Sequence, residues 1–223
     1  MTRVAVMGAG AVGSYLGSRF AAAQADVHLI ARGAHLAALR DKGLTLITPD
    51  GVSTTPVWAT DDPASIGPVD IVLFCVKSYD TEDAVSQLPP LVGPQTAVIS
   101  IQNGIENEAK IAAGIGAEHV LGAATYILAA IESPGVIRSG AARIVIGEMH
   151  EGRPSERVTR PVSAGASRIC IGVCSSGPEI GPTNAKSCEP EGPQDLTGGT
   201  LTRPPAAVKR EPSGAEVAAN GRA

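Results

Sequence analysis

Beyond Tyr126 the chain has no aromatic residue: its two Phe, three Tyr and one Trp all precede position 127 in a sequence of 223 residues. Aromatic side chains supply much of the area that a core buries, so their loss marks a change in what the chain can do. From Glu151 to Ala223 the residues Leu, Ile and Val are also scarce, about one in seven, while Gly and Pro together exceed about a quarter. Such a segment cannot bury enough apolar surface to offset the entropy of folding. The expectation for 156–223 is therefore a Pro/Gly-rich tail, largely irregular or disordered. Long apolar runs are missing as well: none approaches the ~18 residues needed to cross a bilayer, and the N-terminus leads into a strand pattern without a signal peptide. Basic residues are not in excess, since 18 Lys and Arg stand against 22 Asp and Glu for a net charge of −4, which removes the electrostatic reason to expect nucleic acid or an anionic membrane as partner. The four cysteines lack paired metal-ligand spacing, so neither a metal site nor a disulfide framework is expected, and the location expected is cytoplasmic. Cys75, inside an apolar strand, reads as a small core residue.

What the chain does have is concentrated at its start. Val4 to Met7 is a short, uniformly apolar run, the pattern of a strand in the middle of a sheet covered on both faces. Gly8, Gly10 and Gly13 follow with G-x-G-x-x-G spacing and open an apolar stretch near helical period (Ala11, Val12, Tyr15, Leu16, Phe20). Strand, glycine turn and helix in that order form the dinucleotide-binding fingerprint. The first glycine allows the turn, the second lets a pyrophosphate approach backbone, and the third lets helix and strand lie close, with the helix N–H groups facing the phosphates. Gly8, Ala9, Gly10, Ala11, Val12 and Gly13 are the candidate cradle.

Asp26 to Arg32 reads as the second strand, and its end bears on the cofactor. An NAD site places Asp or Glu there for the ribose 2′-hydroxyl, whereas an arginine accommodates the 2′-phosphate of NADP. This chain has Ala31-Arg32, which favours NADP. His28 and His35 read as surface residues. Gly33 to Lys42 predicts a helix. Leu44 to Ile47 and Val52 to Trp58, separated by Pro49-Asp50-Gly51, predict a peripheral hairpin in which Trp58 packs.

Val69 to Lys77 is a buried strand ending in a lysine, and Thr96 to Gly104 repeats the pattern with Asn103 at its end. In open α/β sheets ligands lie beyond the carboxyl ends of the strands, so Lys77 and Asn103 are candidates on the edge that carries the glycine loop. Helices are expected at 80–88 and 106–113, a further short strand at 120–122, and two or three antiparallel strands from the segments 124–131, 136–138 and 142–147. Thr125 reads as a strand residue. The fold class is α/β, a Rossmann-like, doubly wound, mostly parallel sheet with added antiparallel strands, over a nucleotide-binding domain at 1–155.

The glycine loop, Arg32, the Cys-Val-Lys-Ser strand end at Lys77, Gln-Asn-Gly-Ile-Glu-Asn at 102–107 and Gly-Ala-Ala-Thr-Tyr at 122–126 together make the chain similar to ketopantoate reductase (2-dehydropantoate 2-reductase). The resemblance implies NADPH-dependent reduction of a small 2-keto acid, 2-dehydropantoate, to (R)-pantoate in pantothenate and coenzyme A biosynthesis. It implies that Gly8 to Gly13 hold the pyrophosphate, Arg32 the 2′-phosphate, Lys77 the cofactor near its ribose, and Asn103 the nicotinamide side and the substrate. The family continues into a helical domain with a Glu-Leu-Trp-x-Lys-like pattern whose lysine protonates the developing alkoxide. Past Arg160 this sequence departs from that pattern, Lys186 and Lys209 match nothing in it, and no catalytic lysine is assigned. The alternative is a truncated or frame-shifted NADP-binding fragment that turns nothing over.

Overall fold

The computed structural model describes residues 1–149, 157–158 and 170–174, the last five by their backbone. The first apolar run forms β1 (Arg3–Met7), followed by α1 (Ala11–Ala22), β2 (Asp26–Ile30) and α2 (Gly33–Lys42). A hairpin of β3 (Leu44–Thr48) and β4 (Gly51–Thr55) precedes β5 (Trp58–Thr60). Next come β6 (Val69–Phe74), α3 (Thr81–Ser86), β7 (Val92–Ser100) and α4 (Asn107–Ile115). The long strands β8 (Val120–Ser133) and β9 (Val136–Glu148) follow, and β10 (Cys170–Cys174) is the last described element. They form one sheet in the order β4-β3-β9-β8-β7-β6-β1-β2-β5, with β10 paired to β9.

The middle of that sheet is parallel: β1 pairs with β2 and β6, β6 with β7, and β7 with β8. Its strands are apolar on both faces because both faces are covered. Val4 and Val6 of β1 join Ile71 and Leu73 of β6 in one core with Leu16 and Phe20 of α1. Ala5 and Met7 join Val72 and Phe74 in a second core with Leu88 and Ile111. Each fully buried Leu, Ile or Phe here contributes roughly 1.5–3 kcal/mol, which fixes the strand centres and leaves the loops at the carboxyl ends free to carry polar groups.

Several details differ from the sequence reading. The segment 52–58 is not one strand, because Pro56 has no N–H to give a ladder and the chain breaks there. Its second part, β5, leaves the hairpin and pairs in parallel with β2, His28 opposite Trp58. That neighbour corrects the reading of His28 as a surface residue: it is 5% exposed, lies 3.2 Å through Nε2 from Asp26 Oδ1, and meets the Trp58 ring edge-on. Trp58 does pack, on one side only. The short strand expected at 120–122 is continuous with the segment 124–131 in β8, and 136–138 is continuous with 142–147 in β9, so the antiparallel strands number two. They pair antiparallel across the turn at Pro134-Gly135 and absorb irregularities as register shifts between Ile127 and Ala129 and between Ile131 and Ser133. The β3–β4 hairpin is peripheral as expected, and β3 also pairs in parallel with residues 136–138 of β9.

Beyond that pairing the edge of β9 is taken by β10, with Cys170 opposite Arg143 and Cys174 opposite Gly147. Composition gave no sign of a strand there, because backbone groups on an exposed edge recruit a partner strand without any aromatic contribution. The rest of the expectation for 156–223 lies outside the described residues, Arg157 and Val158 aside. Among the described residues no helix is long and apolar enough to cross a membrane, and no cluster of side chains could hold a metal ion.

Candidate functional site

At the end of β1 the chain turns sharply at Gly8, which has φ +89°, and a side chain there would meet the Val76 backbone at 2.9 Å. Gly13, in the first turn of α1, is confined from the other side: a Cβ would lie 2.4 Å from Gly8 O and 2.9 Å from Val6 Cγ1. Both glycines are therefore required by the protein's own packing. Gly10 is not. Its backbone, at φ −74° and ψ −156°, suits any residue, and a Cβ built on it meets no heavy atom within 4 Å. The missing side chain leaves open space directly over the helix N-terminus.

That space faces unused donors. The first intrahelical bond of α1 runs from Ser14 N–H to Gly10 O (2.9 Å), so the N–H groups of Ala11, Val12 and Gly13 precede the helix ladder. No acidic residue lies in the first turn to compete for them. A helix N-terminus with free N–H groups, a positive dipole end and room above it fits a pyrophosphate.

The carboxyl ends of β1, β2 and β6 border a cleft of about 290 Å³. Gly8, Ala9 and Gly10 form its floor, Arg32 comes from the end of β2, and Lys77 follows β6 across the cleft. Two cations thus flank the glycine turn, with Asp80 the acidic residue in the lining. Arg32 stands at the start of α2 without a side-chain capping bond and is exposed, with no carboxylate at the end of β2 to engage a ribose diol. Cys75, expected in the core, is half-buried: it packs against the core around Val6 and Leu16 and also lines the cleft, and the protein around it pushes its thiol well above the ordinary value.

His35 was expected at the surface and is instead half-buried in this site. Its Nδ1 accepts from Gly135 N–H (3.1 Å), and its Nε2 lies 3.3 Å from Ser14 Oγ, which in turn donates to Ala9 O (2.9 Å). Burial lowers the imidazole pKa below its usual 6.5, opposed by a hydrogen bond to the Ala9 carbonyl. Ile131, from the far end of β8, closes the same side of the cleft.

Asn103 lies elsewhere. It lines a second depression of about 500 Å³ with Ser78, Tyr79, Ile105 and Lys110. The two depressions adjoin through the Lys77-Ser78 segment and are tied together from beneath. Gln102 Nε2 donates to Val76 O (3.0 Å) and to Thr81 Oγ1 (2.8 Å), Thr81 Oγ1 donates to Asn107 Oδ1 (3.4 Å), and Asn107 Nδ2 donates to Asn103 O (2.9 Å). Gln102, Thr81 and Asn107 are all buried, so the network is shielded from water. The structure therefore gathers Gly8, Ala9, Gly10, Arg32 and Lys77 at one cleft, and places Asn103 beside it.

Residues 4–151 match the family model described as ketopantoate reductase PanE/ApbA. A 2-dehydropantoate 2-reductase of Mesorhizobium japonicum is 32% identical over 179 residues, covering 70% of this chain and 55% of that protein. The enzyme of the same name from Halobacterium salinarum is 37% identical, covering 73% and 54%. The chain spans about half the length of the curated relatives it matches. Among solved structures, 2-dehydropantoate 2-reductase from Porphyromonas gingivalis superposes with a TM-score of 0.71 at 30% identity, over 78% of this chain and 64% of that one. D-mandelate dehydrogenase, solved with NADH, shares the fold alone at 20% identity and a TM-score of 0.68.

Proposed function

Because the chain belongs to the ketopantoate reductase family, we propose that residues 1–155 form a domain that binds NADPH for the reduction of 2-dehydropantoate to (R)-pantoate, a step of pantothenate and coenzyme A biosynthesis. The observation that carries the cofactor half is the open space over Gly10, which no packing demand of the protein explains and a pyrophosphate does. Ala11, Val12 and Gly13 supply N–H groups to that pyrophosphate. Arg32 meets the 2′-phosphate, where a carboxylate would select NAD. Lys77 holds the cofactor near its ribose, and Asn103 orients the nicotinamide end and the keto acid from the adjoining depression. When bound, NADPH supplies the hydride. The charge then arising on the ketone oxygen needs a positioned acid.

That acid is the point at which a second reading enters. Among the described residues the lysines are Lys42 on α2, Lys77 in the cofactor cleft and Lys110, which pairs with Glu82. None offers an acid set apart from the cofactor, and the family match stops at residue 151. The second reading is a polypeptide that holds NADPH without turnover. Titration of the full chain with NADPH, followed by addition of 2-dehydropantoate, separates the two. Saturable binding with loss of NADPH absorbance supports the reductase, and binding without loss supports the fragment. Failure to bind NADPH refutes both.

A further inference from the structure

We propose that His35 is a positioning residue which locks the phosphate-binding turn to the tip of the β8–β9 hairpin, so that cofactor affinity depends on the imidazole remaining neutral. The inference deepens the NADPH reading above and rests on it. Three elements distant in sequence meet at this ring: α2 carries it, the hairpin donates to one nitrogen, and the glycine turn with α1 lies against the other. The donor at Nδ1 is a backbone N–H that has no other role to adopt, so Nδ1 must be unprotonated. The ring proton then sits on Nε2, facing Ser14 Oγ and the Ala9 carbonyl. Ser14 is fully buried and its hydroxyl donates a hydrogen bond to Ala9 O, so every position in the chain from Gly135 to the glycine turn is filled.

The hairpin tip is held in place to make this contact. Gly135 has φ +79°, and a side chain on it would press on Ala38 of α2 at 3.1 Å. Its carbonyl accepts from Thr45 N–H (2.9 Å). The Gly135 N–H therefore cannot swing away to another acceptor while that packing stands. Protonating Nδ1 sets a donor against a donor, and the bond from the hairpin to α2 is lost.

The charges around the ring do not favour its protonation. Arg32 stands at the start of the same helix, Lys77 faces it across the cleft, and Asp80 is the acid in the lining. On the hairpin, Glu132 is engaged by Arg138 at 2.6 Å. The glycine turn contributes no charge, and α1 has no acid in its first turn.

A direct contact between His35 and the 2′-phosphate makes the opposite prediction. An imidazolium there would strengthen NADPH binding in acid, whereas the positioning role weakens it. The test is the Kd of NADPH for the full chain between about pH 8 and about pH 5.5, in the wild type and in His35→Asn, whose amide oxygen can accept from Gly135 N–H without titrating. The 2′-phosphate itself titrates near pH ~6 in both proteins, so the ratio of the two Kd values is read. Wild-type affinity should fall about fivefold relative to His35→Asn across that range, the effect of one lost hydrogen bond. His35→Leu should bind more weakly throughout. Independently of cofactor, the ring ¹⁵N shifts of His35 should report the Nε2–H tautomer at neutral pH. A flat ratio, a wild type that binds more tightly in acid, or an Nδ1–H tautomer overturns the proposal. A wild type that binds no NADPH at neutral pH overturns the cofactor reading itself.

Discussion

Exchanging Gly10 and Gly13 for alanine, one at a time, should separate two reasons for glycine that a motif treats as one. At Gly10 the backbone conformation is open to any residue and the new methyl group meets nothing within 4 Å. Gly10→Ala should therefore fold with stability within about 1 kcal/mol of the wild type, since the ~0.4–1 kcal/mol gained by restricting the unfolded chain is offset by alanine being a poorer N-cap than glycine. At Gly13 the methyl group would sit 2.4 Å from the Gly8 carbonyl oxygen. A carbon–oxygen contact needs about 3.3 Å, so α1 must move off the turn by most of an ångström. Overpacking of that kind costs ~1–3 kcal/mol. Binding should rank differently from stability. The Gly10 methyl group occupies the space assigned to the pyrophosphate and keeps it from at least one helix N–H, a charge-assisted bond of about 1.5–3 kcal/mol, so NADPH affinity should fall at least ~tenfold. Gly13→Ala should lose both stability and affinity. Urea denaturation and NADPH titration of the full chain measure the two quantities. A Gly10→Ala protein that binds NADPH like the wild type would refute the reasoning, because the open space would then not be where the phosphates enter.

Three further outcomes follow from the same geometry. Arg32→Ala should weaken NADPH by about ten- to a hundredfold while leaving NADH nearly unchanged, the loss of one charge-assisted contact to the 2′-phosphate; equal losses for both cofactors would remove Arg32 from that role. Gln102→Leu should lower stability by ~1–3 kcal/mol in urea denaturation, because Val76 O and Thr81 Oγ1 lose their donor in a buried setting; an unchanged midpoint would show that the network carries no weight. Cys75 should resist alkylation by iodoacetamide at about pH 8 in the native chain and react once the chain is unfolded in urea, since burial holds the thiol protonated. Peptide mapping by mass spectrometry reads that directly, and rapid labelling of the native protein would contradict it.

The parts of this site that the sequence announced are those set by neighbours a few residues away. The turn at Gly8 and the close approach at Gly13 are local geometry, and a strand followed by a glycine triplet and an apolar helix has few other ways to fold. Strand ends were legible for a related reason. Once Val4–Met7 and the run before Lys77 are both buried parallel strands, topology alone puts Arg32 and Lys77 at the carboxyl edge. His35 escaped because its partner Gly135 is 100 residues away. On α2, where only Leu36 and Leu39 are buried, an imidazole in the first turn has the local signature of a solvated side chain. His28 escaped because Pro56 had been absorbed into a single strand. With the break in place, β5 becomes a neighbour of β2 and covers the histidine.

Asn103 shows what topology leaves unsaid even when the strand order is right. Two strand ends in one sheet share an edge, but the loops that follow them decide whether their side chains share a cavity. Here β6 ends in a 3₁₀ turn at Ser78–Asp80, and that turn lies between Lys77 and the depression that holds Asn103. The two residues are related through backbone carbonyls instead: Val76 O, beside Lys77, and Asn103's own carbonyl are both held by amide donors of one buried chain through Gln102, Thr81 and Asn107. A link of this kind fixes the distance between two loops more firmly than contact between flexible tips, because each member is buried and has few alternative partners. The glutamine before Asn103 and the threonine opening α3 are therefore as much a part of the site's geometry as the lysine and asparagine they hold, although neither lines the cavity that Lys77 faces.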